Sequence, residues 1–432
     1  MRRVLPMFVL GTMLLAGALA TAAERPNIVF ILADDVGQEV LGCYGGTSYA
    51  TPHLDELAKT GARFEHCYSM PMCHPSRITL LSGKYPFQLG HPQWGTFPQS
   101  AEKHTFANVL KNAGYATAVA GKWQLTREFP QNPDHPHQLG FDEYCLFGWH
   151  EGPKYHQPWI WQNGKLRDDV ADRYGPDVYC DFLIDFMTRN QHRPFLAYYP
   201  MAVCHTVSND LDPPPPVGPN GRYQSFHELV EIMDNLVGRI VATLDRLQLR
   251  QKTVILFIGD NGTMKHFYVD VENGKLIEQK IVSKRGDAEV PGGKGELTDG
   301  GTRVPMIVNW PGVVPPGRVV DDLVDFADVL PTLAELGGAT LAEDWVISGR
   351  SFAPWILHQT GPHRSWVHAE HDRKHWVRTQ RWKLYDDGRL IDMQHDPQET
   401  NPVDPVGQSS EAAAARTKLS AALQSLLHPG QR

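Results

Sequence analysis

The 432-residue chain is 41% hydrophobic and 21% charged, an ordinary globular composition with length enough for a large core and two domains. A formal charge of −8 leaves no electrostatic footprint for nucleic acid, so that class of partner is set aside. The six cysteines (43, 67, 73, 145, 180, 204) and 20 scattered histidines form no CxxC or His/Cys cluster, which sets aside a structural zinc site.

Two arginines, an apolar run and the small residues Ala20-Thr21-Ala22 open the chain, so residues 1–23 read as a secretory signal peptide. A membrane anchor is the alternative, but residues 4–20 carry Pro6 and two glycines and are short for a span. No later segment is long and apolar enough to cross a bilayer. The mature protein is thus expected to be exported, periplasmic or extracellular, where disulfides are possible; the cysteine spacing shows no framework.

Residues 27–33 (NIVFILA) form a continuous apolar run, the mark of a strand buried on both faces of a parallel sheet, and end in Asp34-Asp35. A helix-like segment follows at 52–58. Residues 73–83 place Cys73 ahead of Pro75, Ser76 and Arg77. Pro75 fits a first helical turn, Ile78 and Leu81 share a face, and Gly83 can end the helix. Cys73 therefore sits at a helix N-terminus, where the dipole favours negative charge. A plain buried cysteine is the alternative, and the polar neighbours His74, Ser76 and Arg77 weigh against it.

Further helix-like segments at 105–110 and 228–247 alternate with strand-like runs at 116–120 and 195–199. A second apolar run, 253–259, ends in Asp260-Asn261-Gly262. This alternation predicts an α/β domain with a largely parallel sheet. Residues 213–216, four prolines, read as a stiff loop. From about residue 356 the pattern changes to short strands at 376–379, 382–385 and 389–393, then a helix near 409–427. The expected division is a catalytic domain over 24–355 and a small α+β subdomain with an antiparallel sheet over 356–432.

In open α/β sheets ligands gather at the carboxyl ends of strands. Asp34, Asp35, Asp260 and Asn261 could converge there on one hard cation, calcium or magnesium. Turn chemistry after a strand gives the same residues, so the spacing leaves both readings open. Lys122 in Gly121-Lys122-Trp123-Gln124 and His205 after the 195–199 run also fall at carboxyl ends, and Lys294 is flanked by glycines. Cations there suit an anionic substrate. Each has a plain alternative, a solvated lysine or a hydrogen-bonded buried histidine.

The pattern Cys73-x-Pro75-Ser76-Arg77-x-x-x-Leu81-Ser82-Gly83 resembles the sulfatase signature. The resemblance extends through Asp34-Asp35, Gly121-Lys122-Trp123, Asp260-Asn261-Gly262, Gly293-Lys294-Gly295, and residues 299–305, 328–333 and 377–379, in order along the mature chain. It implies an alkaline-phosphatase-like fold: a large, mainly parallel sheet flanked by helices, with a smaller C-terminal subdomain. It also implies that a maturase oxidises Cys73 to formylglycine, and that the hydrated aldehyde attacks the sulfur of a sulfate ester with one hydroxyl and releases sulfate with the other. The implied metal, Ca2+ with Mg2+ possible, is held by Asp34, Asp35, residue 73, Asp260 and Asn261. Lys122 and Lys294 stabilise the sulfuryl oxygens, Arg77 orients the diol, and His205 contacts the diol or the leaving oxygen.

Three departures matter: the chain around His205, Val203-Cys204-His205-Thr206-Val207, lacks the prolines that usually flank this histidine in the family. Gln124 stands where many relatives have histidine, and an amide donates a hydrogen bond but is no general acid near neutral pH. The interval 264–290 is long and reads as an inserted loop near the site. Trp149 and His150, with Trp159, Trp161, His91, Gln93 and Trp94, could bind a sugar, although such aromatics commonly serve packing. The expected substrate is sulfated carbohydrate. Phosphodiester or phosphonate-ester hydrolysis, and glycan binding without turnover, are the competing readings.

Overall fold

The computed structural model describes residues 25–127, 129–148, 152–357 and 364–428. The leader, Trp149 and His150 lie outside the described residues. No helix among those described is long and apolar enough to cross a membrane.

The main sheet has ten strands: β1 (Asn27–Ala33), β2 (Ala62–Tyr68), β3 (Ala116–Lys122), β4 (Glu143–Phe147), β5 (Trp161–Gln162), β6 (Lys165–Leu166), β7 (Phe195–Pro200), β8 (Thr253–Gly259), β13 (Arg303–Asn309) and β14 (Arg318–Asp325). Between β8 and β13 lie two hairpins, β9 (His266–Glu272) with β10 (Lys275–Lys280), and β11 (Val282–Arg285) with β12 (Ala288–Pro291). The order across the sheet is β14-β2-β13-β8-β1-β7-β3-β4-β5-β6. Its centre, β8-β1-β7-β3-β4, is parallel throughout, while β13, β5 and β6 run antiparallel to their neighbours.

Strand β1 shows why its sequence lacks alternation. Val29, Ile31 and Ala33 enter the core on one face, beside the helices Gly175–Arg189 and Phe226–Arg246; Ile28, Phe30 and Leu32 enter the other, with Phe106–Asn112 and Val329–Leu336. Both faces are dry, so every position is apolar. The long helix Phe226–Arg246 starts from a capping box in which Ser225 accepts from the Glu228 amide and the Glu228 carboxylate accepts from Ser225.

The C-terminal expectation holds in its architecture. Strands β15 (Val367–His371), β16 (Lys374–Arg378), β17 (Trp382–Tyr385) and β18 (Leu390–Asp392) form an antiparallel sheet, and the helix Ser410–Leu427 packs Leu419 and Leu423 on it. The prolines at 213–216 lie in a loop. Residues 264–290 correct the sequence reading: they form the two hairpins rather than a loop, because Asn273-Gly274 and Gly286 supply the positive-φ turn positions between short strands. All six cysteines are free thiols.

Candidate active site

Four neighbouring strands end at one place. Asp34 and Asp35 follow β1, Asp260 and Asn261 follow β8, Lys122 closes β3, and His205 follows β7. The helix Cys73–Ser82 points its first residue into the same space; it ends at Gly83, whose left-handed φ of 69° favours glycine and whose N–H returns to Thr79. Ser76 Oγ donates to the Met70 carbonyl (3.0 Å) and fixes the helix start to the exit of β2.

Reactive atoms of Asp34, Cys73 and Asp260 all lie within 4.8 Å of one another, and all three residues are buried. Each carboxylate has a cation. Lys122 Nζ donates to both oxygens of Asp34 at 2.7 and 2.9 Å, Lys294 Nζ lies 2.7 and 2.8 Å from the two oxygens of Asp35, and Arg77 Nη2 donates to Asp260 Oδ2 at 2.9 Å. Asn261 Nδ2 donates to Asp35 Oδ1 (2.7 Å), while Asn261 Oδ1 is buried with no hydrogen-bond partner among the described residues.

These contacts set the charges. Burial opposes ionisation of Asp34, but Lys122 and Arg77 outweigh it and hold the carboxyl at about 2. Burial and the neighbouring Asp34 charge push Asp260 up to about 7, the mark of carboxylates crowded together. Burial and the lysines 154, 294 and 122 drive His205 well below its ordinary value, so its imidazole is neutral. Its Nδ1 lies 2.9 Å from the Thr206 carbonyl, which only accepts, so Nδ1 carries the proton. Nε2 lies 3.8 Å from Asp35.

The donor set fits a hard divalent cation. The buried carboxylates of Asp34 and Asp260 lie within 4.8 Å of each other and of Cys73 Sγ, with buried Asp35 and the orphaned Asn261 Oδ1 on the same strand ends, and a cation there would relieve the crowding at Asp260. Asp34, Asp35, Asp260 and Asn261 are the residues that would hold it.

Gln124 is 1% exposed, at a φ of 59°, and neither its Oε1 nor its Nε2 has a partner among the described residues. The aromatics singled out in the sequence are distributed: Trp161 sits on β5 and meets Phe129 edge-on at 5.8 Å, Trp159 is half exposed, and His91 faces Glu370 at 3.6 Å. One residue escaped sequence reasoning. Lys154 is 2% exposed and its Nζ has no hydrogen-bond partner among the described residues. Burial lowers it to about 7, against the opposing pull of Asp34. No motif surrounds it; the only clue was a lysine shortly after β4.

The sheet and its row of strand-end acids define an alkaline-phosphatase-like α/β domain. Within that class the chain belongs to the sulfatase family, whose model matches residues 26–339; the model for the C-terminal part of N-sulphoglucosamine sulphohydrolase matches 294–428. It is 31% identical over 421 residues to the steryl-sulfatase of Mus musculus, covering 78% of this chain and 65% of that protein. The N-acetylgalactosamine-6-sulfatase of Canis lupus familiaris is 32% identical over 371 residues, covering 78% and 67%. Among solved structures, Ps i-CgsB in complex with k-i-k-neocarrahexaose matches with a TM-score of 0.76 at 25% identity over 94% of both chains. The PsFucS1 sulfatase from Pseudoalteromonas sp. shares the fold, with a TM-score of 0.74 at 22% identity over 94% of this chain and 91% of that one.

Proposed function

We propose that this protein hydrolyses sulfate esters of carbohydrate, with Cys73 converted to formylglycine and Ca2+ held by Asp34, Asp35, Asp260 and Asn261. The observation that carries the reading is the convergence of Cys73 with Asp34 and Asp260 inside a ring of Arg77, Lys122 and Lys294. A cation bound there supplies Lewis-acid polarisation of the oxygens around it. Hydrated formylglycine at position 73 would supply the oxygen that displaces the alcohol from sulfur, breaking the S–O ester bond, and a second hydroxyl for the later release of sulfate.

The chain's own groups do the rest. Lys122 and Lys294 face the site as ammonium groups whose charge can shift from carboxylate to sulfuryl oxygen as negative charge develops. Arg77, clamped between Asp260 and the Lys122 carbonyl (3.2 Å), fixes the start of the helix that carries residue 73. Neutral His205 is a proton acceptor at Nε2 for a diol hydroxyl. Gln124 presents an amide to the leaving oxygen and orients it without protonating it. The names of an N-acetylgalactosamine-6-sulfatase relative and of a similar structure in complex with k-i-k-neocarrahexaose support carbohydrate as the substrate class. We place residues 1–23 as a leader removed on export, with 24–355 carrying the chemistry and 356–432 the subdomain beside it.

Peptide mass spectrometry on residue 73, in protein made with a formylglycine maturase, tests the modification. Matched aryl sulfate and aryl phosphate esters test the reaction. Formylglycine with faster sulfate cleavage is the expected result. Faster phosphodiester cleavage overturns the sulfatase reading, and saturable glycan binding without turnover in modified protein overturns the enzyme reading.

A further inference from the structure

Lys154 is a buried lysine whose Nζ has no acceptor among the described residues, while Asp34, Asp35 and Asp260 nearby each already have a cation. An isolated buried charge costs several kcal/mol. The side chain is also held in place. Tyr155 Oη donates to the carbonyls of Ala202 (3.0 Å) and His205 (2.5 Å), so the segment packs on the turn after β7; that turn in turn bonds Asp34, whose N–H donates to Val203 O and whose carbonyl accepts from Cys204 N. On the other side, Gly175 N–H donates to Tyr155 O (2.8 Å), and a Cβ at Gly175 would lie 2.0 Å from the Lys154 carbonyl. The backbone is clamped, and the aromatic rings of Phe147 and Tyr155 lie 5.7 and 5.1 Å from Nζ. Those rings offset part of the cost of the charge but satisfy none of its three N–H donors. A metal ion at the acids would only add positive charge. An acceptor supplied from outside the chain would be an anion.

We propose that Lys154 is a substrate-binding residue that gives a third ammonium, beside Lys122 and Lys294, to the tetrahedral oxyanion of the substrate. This rests on the sulfate-ester reading above. Its distinct content is that oxyanion affinity in this chain depends on a residue outside the motifs that mark the family.

The test measures dissociation constants for inorganic sulfate and inorganic phosphate by calorimetry on the full chain, for wild type, Lys154→Met and Lys154→Arg, with melting temperatures. Methionine keeps the volume and removes the charge. Loss of a charged hydrogen bond corresponds to a rise of about 10- to 100-fold in the sulfate dissociation constant. The melting temperature should stay level or rise, since an unpaired buried charge has gone, and Lys154→Arg should recover part of the affinity. In turnover, Lys154→Met should raise KM for a monosulfate ester. If Lys154 serves only as a packing cation on Phe147 and Tyr155, Lys154→Met lowers the melting temperature and leaves both constants unchanged, which overturns the proposal. A wild type that binds phosphate and not sulfate overturns the sulfate-ester reading, and the role of Lys154 is then judged on the phosphate constants. A wild type that binds neither overturns both.

Discussion

Cys73 is 2% exposed and contributes only a small side chain to its surroundings, so Cys73→Ala removes the proposed nucleophile without opening a large cavity. Turnover of an aryl sulfate should vanish while the melting temperature stays within a few degrees; retained activity would exclude residue 73 as the nucleophile. Gln124→His is the complementary change. Histidine is among the residues that tolerate a positive φ, and the buried amide it replaces bonds to nothing among the described residues. The expected outcome is a flatter dependence of kcat on leaving-group acidity across a series of aryl sulfates, because an imidazolium can protonate a poor leaving group. An unchanged slope would place Gln124 away from the leaving oxygen. At this scale the sequence was readable where a side chain sits in a run of recognisable neighbours, as with Cys73, Arg77 and Lys294. It was silent at Lys154, whose meaning arises only when Tyr155 is bonded to the turn at 202–205.

Elements carry their own predictions. Asp328, at the start of the helix Val329–Leu336, is gripped by Arg364 through Nε (2.7 and 2.8 Å) and Nη2 (2.6 Å), with both side chains nearly buried. Asp328 also accepts from the backbone of Asp325 and Arg350, and Arg364 donates to the Ser348 carbonyl. Arg364→Ala leaves that carboxylate buried with two amide donors and no cation. It should lose about 3–5 kcal/mol in urea unfolding, and Arg364→Lys, which cannot reproduce the fork, should fall between. The strands were legible because a sheet buried on both faces needs unbroken apolar runs, as β1 and β8 show. The hairpins β9–β10 and β11–β12 were missed because charged residues dominate their exposed faces and dilute the alternation. Asn273-Gly274, flanked by Phe267, Val269 and Val271, was nonetheless a usable hairpin signal.

Across the whole molecule, the small C-terminal sheet reaches back to the loop that holds Lys294. Arg378 on β16 donates to both oxygens of Asp299 at 2.7 Å; Lys383 on β17 bonds Glu399 (2.9 Å) and the Leu297 carbonyl (2.8 Å), and Glu399 accepts from the Asp299 N–H (2.7 Å). Arg378→Ala should therefore lower kcat/KM by about 10- to 100-fold through displacement of Lys294, although Arg378 touches no reacting group; undiminished activity in a folded variant would show that the loop holds its own shape. Metal dependence belongs to the same scale, since the acids cap two central strands. Chelation should lower the melting temperature, and Ca2+ at a hundredfold excess over its Kd should restore about 2.7 kcal/mol; identical melts with and without chelator would count against the donor set. No single stretch of sequence shows this coupling, because it joins residues some 80 positions apart.

The two hairpins have a consequence for how such a protein can diversify. They leave the main chain after Thr263 and return at Lys294, whose N–H donates to Thr263 O (3.0 Å), so the gap is already closed at its base. The hairpins are nonetheless tied to the body of the domain: Phe267 and Ile281 are buried in the core, and the Val269 and Lys284 carbonyls accept from the Tyr223 and Thr47 N–H groups, so any exchanged segment must match those contacts. The tips at Asn273-Gly274 and Gly286, where an added side chain would meet nothing within 4 Å at either glycine, are the positions at which length can change with least disturbance to the strand-end residues.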